Sequence, residues 1–135
     1  MNIKLIIQLS VFGLIMALGT ISLIPEKIEP AFWLVIFIFC AVVIAKGCTG
    51  RYFLHGFVLS LFNSVWITAV HVIAYRSYAA HHPDIATMTD SMGAYLSTHP
   101  RVAMILMAPV FGIVFGLFQG LFAFIASKVV AKKAA

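Results

Sequence analysis

Four apolar runs, at residues 5–24, 30–48, 52–75 and 102–127, fill most of this chain and contain no aspartate or glutamate. A helix needs about 20 apolar residues to cross a hydrocarbon layer about 30 Å thick, and it is one of few structures that pairs every backbone N–H and C=O without water. Each run reaches that length. Overall, 63% of residues are hydrophobic, 10% are charged and the mean hydropathy is +1.09, whereas an ordinary soluble domain is about a quarter charged. The expectation is an all-α polytopic membrane protein, residues 1–135 forming a single membrane domain. Its four transmembrane helices make an antiparallel bundle, because only a few residues join the first three runs. The connection 76–101 is long enough to carry structure of its own.

Orientation follows from the basic residues that flank the runs. With the amino terminus in the cytoplasm, Lys4, Lys46, Arg51, Lys128, Lys132 and Lys133 lie inside and Lys27, Arg76 and Arg101 outside, six against three. All four acids, Glu26, Glu29, Asp84 and Asp90, then fall outside. The reading is a bacterial inner-membrane protein with both termini cytoplasmic. Lys4, the apolar run after it, and Ala17 and Gly19 also fit a cleavable signal peptide, but the run continues through Ile21, Leu23 and Ile24 to a spanning length. The net charge of +5 is a topology signal, with membrane lipid as partner; nucleic-acid binding would need a basic face on a soluble domain. Cys40 and Cys48 lack CxxC spacing and face a reducing compartment, so no disulfide is expected.

Within the runs, small residues mark where helices approach closely. Ala108, Gly112, Gly116 and Gly120 recur every fourth residue in the last run, and Ser10, Gly13, Ala17 and Thr20 share a face of the first, the small-xxx-small pattern of membrane helix packing. The groove packs either another helix of the chain, such as the first, or a second protomer in a homo-oligomer. Pro109 removes a helix N–H and is expected to bend the last helix. Gln8 and Gln119 lie at similar depth and are candidates to pair.

The third run is the polar one. At about 100° per residue, Gly56, Ser60, Asn63, Ser64, Thr68, His71 and Tyr75 fall within a stripe of about 140°, with His55 off it. Polar groups at this depth are expensive unless paired, so the stripe faces protein or water. It is either interhelical hydrogen bonding or a polar pathway or small-solute site built from Ser60, Asn63, Ser64, Thr68 and His71. The connection 76–101 should hold a short amphipathic helix from His82 to Leu96, with Pro83 at its first position, Asp84 in its first turn, and Ile85, Met88, Met92, Tyr95 and Leu96 on one face. His81, His82 and His99, with Met88 and Met92, form a ligand set suited to copper(I), although no tight repeat supports it. Haem is disfavoured because His55 and His71 sit on one helix at different depths. No cofactor is expected.

Enzyme chemistry has little to build on: no carboxylate pair and no Ser-His-Asp set can be assembled. Small multidrug exporters share the size and span number but couple through a glutamate in the first helix, and dual-topology fluoride channels carry a glycine-rich motif with an arginine; both features are missing here. The basic turn Lys46 to Arg51, Gly56 entering the third run, the Tyr75 to Asp84 exit and the glycine-rich last run ending in Lys132 and Lys133 resemble the small uncharacterised four-helix inner-membrane proteins of bacteria, a domain family of unknown function. That resemblance implies a four-helix bundle and carries no activity or site residues. The leading functional reading is a small oligomeric transporter or channel-like protein working through the polar face of the third helix. The alternative is a non-transporting scaffold or accessory subunit that binds another membrane protein through the Gly112, Gly116 and Gly120 groove, with Gly13 and Ala17 as further packing positions.

Overall fold

The computed structural model describes residues 1–130, with the side chain of Ala86 excepted, so Lys132 and Lys133 lie outside the described residues. All regular structure there is helical: α1 (Ile3–Gly19), α2 (Glu29–Gly47), α3 (Tyr52–Ile73), α4 (Tyr75–His81), α5 (Pro83–Asp90), α6 (Ala94–Thr98) and α7 (Pro100–Val129). Three of them, α2, α3 and α7, are long and apolar enough to cross a membrane. α1 stops at Gly19, short of the expected Ile24, and has 17 residues. The cause is local. Thr20 caps the helix through its own N–H and hydroxyl to the Met16 carbonyl, and the Gly19 carbonyl accepts from both Leu23 and Ile24, folding the last apolar residues into a turn.

Packing pairs the helices unequally. α3 makes its broadest contact with α7, running antiparallel to it, while α1 lies on the other side of α3 and parallel to it. α2 packs mainly on α7, also in parallel, and touches α3 only slightly. Lipid tails are as apolar as leucine, so close packing and interhelical hydrogen bonds, each about 0.6 kcal/mol, hold such helices together. Among the described residues such bonds include Asn2 N–H to His55 Nε2 (2.9 Å), Trp66 Nε1 to Ser10 Oγ (3.1 Å), His71 Nε2 to Thr20 Oγ1 (2.9 Å) and Gln119 Nε2 to the Phe37 carbonyl (3.2 Å). Gln119 thus pairs with α2, and Gln8 is exposed.

At the end where α1 begins and α7 finishes, Ile6, Leu9, Cys40, Ala41, Ile44, Leu59 and Ala123 from all four long helices make a continuous buried core. The glycine groove of α7 is filled by α3 and not by α1. A Cβ on Gly112 would meet Ser64 Oγ at 2.7 Å, on Gly116 the Phe57 ring at 2.9 Å, and on Gly120 the Phe53 carbonyl at 2.8 Å. Gly13 of α1 lies against the Asn63 side chain, and Ala17 is fully buried. Both free cysteines are buried. α7 continues through Pro109 as one helix.

The connection after α3 is three short helices. α5 begins at Pro83 as the proline and Asp84 indicated, but it ends at Asp90, and a turn leading to Gly93, whose φ is 98°, separates it from α6. L-residues with side chains rarely adopt that φ.

Candidate functional site

Away from the buried core, α2 separates from α3 and leaves a cavity of about 660 Å³ bounded by α2, α3 and α7. α5 and the turn after it cover the loop end through Ile85, Met88, Thr89 and Met92. The rings of Phe37, Phe115, Phe118 and Phe122 line the opposite end, where Phe37 meets Phe115 and Phe122 edge-on at 6.3 Å. All five residues of the expected polar stripe, Ser60, Asn63, Ser64, Thr68 and His71, lie on its α3 wall. They are not equivalent. Ser64 donates to the Leu61 carbonyl of its own helix (2.9 Å), whereas Ser60 and Thr68 have no hydrogen-bond partner among the described residues. Asn63 Oδ1 is buried and unpaired beside Gly13.

His71 occupies the loop end of this wall. Its Nε2 lies 2.9 Å from Thr20 Oγ1 and 3.2 Å from the Ala17 carbonyl. The Thr20 hydroxyl donates to main-chain carbonyls of α1, so His71 Nε2 carries the proton and donates to both. Its ring stacks on Tyr78 at 3.8 Å, and Tyr78 stacks on His82 at 4.3 Å. The three rings form a column because α4 continues α3 after Ala74: Tyr78 N–H still bonds the Ala74 carbonyl, and spacings of seven and four place His71, Tyr78 and His82 on one face.

Glu29 stands at the top of the column. His82 Nδ1–H donates to the Tyr78 carbonyl (3.0 Å), which in the neutral ring leaves its Nε2 as a lone pair facing Glu29 Oε2 at 3.7 Å; that nitrogen is buried and has no hydrogen-bond partner. The other carboxylate oxygen, Oε1, accepts from Trp33 Nε1 at 3.1 Å. Burial, followed by the Glu29 and Glu26 carboxylates, pushes the Tyr78 phenol up from 10 to about 12.

No protein-family model, curated protein or solved structure matches this chain. Its chemistry is therefore read from the residues themselves.

The loop histidines are dispersed. His81 is exposed and bonded to the Ser77 carbonyl, His82 is buried in the ring column, and His99 is exposed and stacked on Tyr95 at 4.5 Å. Among the described residues no three His, Cys, Asp or Glu side chains are grouped to hold a metal ion. Met88 and Met92 turn inward and share the cavity with Met104 and Met107. His55, off the stripe, donates from Nδ1 to the Arg51 carbonyl (2.8 Å) and accepts from Asn2, joining the start of α1 to the start of α3. Tyr75 points away from this work: Arg101 lies over its ring at 5.7 Å and donates to the Val72 carbonyl. Sequence reasoning missed Glu29, Trp33, Tyr78, Met104 and Met107. The signal for Tyr78 was the spacing from His71 to His82, which becomes informative only once the helix is continued past Ile73.

Proposed function

We propose that this is a small integral membrane protein of a bacterial inner membrane that takes a small solute into the α2–α3–α7 cavity as part of its transport. The reading includes four spans, both termini in the cytoplasm, the cavity approached from the outer side, and self-association through lipid-facing surfaces. One observation carries it: the polar stripe of α3 borders a cavity of about 660 Å³ instead of packing wholly against neighbouring helices, and known small-molecule sites span about 300–1,000 Å³. The scaffold alternative has less support, since α3 already occupies the groove such a partner would need. The distribution of basic residues supports the orientation.

Cysteine accessibility tests this directly. In a background with Cys40 and Cys48 replaced by alanine, Thr68→Cys and Ser64→Cys should react with a small water-soluble thiol reagent added from outside, while Val65→Cys, on the exposed apolar side of the same helix, should not. Equal inertness of all three positions would remove the water-accessible cavity and with it the transport reading.

A further inference from the structure

The charges around the cavity are opposite to those of the chain. The protein has nine Lys and Arg against four Asp and Glu, yet Glu26 and Glu29 line the cavity and, among the described residues, no Lys or Arg does. Half of the acids are therefore collected at one site, and Lys27, Arg76 and Arg101 are absent from its wall.

Glu29 is also incompletely used. Oε1 is engaged by the Trp33 indole, but Oε2 confronts the His82 Nε2 lone pair at 3.7 Å. His82 is 2% exposed, and with its Nδ1–H committed to Tyr78 it offers Glu29 no proton in that tautomer. With the ring neutral, the His82 nitrogen is a buried acceptor without a donor, which is costly, and the partly exposed Glu29 oxygen gains no hydrogen bond from it. A positively charged group at this edge would satisfy the carboxylate.

The remainder of the cavity fits an apolar body behind such a head. Trp33 and Tyr78 present rings near Glu29, Phe37 lies deeper, and Met88, Met92, Met104 and Met107 supply adaptable thioethers. Aromatic faces attract cations, and methionine reshapes around varied apolar groups.

We propose that the cavity selects an amphipathic organic cation, an ammonium-type head on an aromatic or branched apolar body, with Glu29 as the charge partner of the head. This rests on the cavity being a solute site and adds the class of solute.

Trp33 supplies the readout. The chain has two tryptophans, so Trp66→Phe leaves Trp33 alone in the cavity, and Trp33→Phe leaves Trp66, which is partly exposed on the apolar surface, as the control for partition into lipid. With the full chain in nanodiscs, Trp33 quenching is titrated with para-bromophenylbutylammonium, the matching alcohol and the matching carboxylate. The ammonium should quench saturably and bind about tenfold more tightly than the alcohol, the carboxylate should be weakest, and Glu29→Gln should bring the three together while retaining an acceptor for Trp33. An alcohol that binds as well as the ammonium, or a preference that survives Glu29→Gln, overturns cation selection and leaves the solute cavity standing. Saturable quenching only by a brominated-tail lipid makes the occupant an acyl chain and overturns the proposal. No saturable quenching of Trp33 by any probe overturns both the proposal and the solute-site reading.

Discussion

Gly56→Leu is expected to abolish the folded bundle. A Cβ at Gly56 would run into the Gln119 carbonyl and approach the Gly120 Cα to 2.9 Å. Both obstacles are main chain, and neither can rotate aside as a side chain would. α3 and α7 would have to separate along the broadest contact in the molecule, losing the packing of Gly116 on Phe57 and of Gly120 on Phe53 with it. Overpacking a close-packed interior costs 1–3 kcal/mol, roughly, where side chains can adjust, so a clash with backbone should exceed about 3 kcal/mol for leucine and be marked even for alanine. Denaturing-detergent titration, read by circular dichroism, measures it. Gly50, with open space around its missing Cβ, is the matched control: Gly50→Ala should stay within about 0.5 kcal/mol of the parent. A Gly56→Leu protein as stable as that control would mean that α3 and α7 do not meet here.

The second large effect is alkaline. Tyr78 is held above its ordinary value of 10, at about 12, chiefly by burial and then by Glu29 and Glu26. A group whose folded value exceeds its unfolded value contributes stability that is complete below the unfolded value and disappears as pH rises through the folded one. Stability should therefore hold up to about pH 10 and fall by about 2–3 kcal/mol between pH 10 and 12. The fall follows from the lost packing of Tyr78 between His71 and His82 once a phenolate must be accommodated beside two carboxylates. Tyr78→Phe should remove most of that pH dependence. Phenolate absorbance in folded protein, followed against pH, should show one tyrosine titrating late. A Tyr78→Phe protein with the same alkaline transition as the parent would count against this account.

Periodicity made the helical elements legible, because apolar runs of spanning length have few other folds available. α2, α3 and α7 fall close to where the runs place them. The end of α1 was not legible: Ile21, Leu23 and Ile24 are as apolar as the residues before them, and only the Thr20 cap distinguishes helix from turn. The partner of the α7 glycines was open for a similar reason, since a small-residue face says that something comes close without naming it. For the site, the 3.6-residue period gathered Ser60, Asn63, Ser64, Thr68 and His71 on one face, and all five share the cavity. Glu29 and Tyr78 escaped because they reach it from outside the spans, through a helix end and a helix continuation that hydropathy does not register. The Met residues needed tertiary structure, as Met88 and Met92 meet Met104 and Met107 only when α5 folds over α7.

The unequal lengths of the helices bear on the lipid around them. At 1.5 Å per residue, the 17 residues of α1 span about 26 Å and the 30 of α7 about 45 Å. A sheet of lipid cannot match both at once, so it must pinch where α1 is exposed and swell, or let α7 lean, on the opposite flank. On the four-span reading proposed above, the molecule is a wedge in its host film.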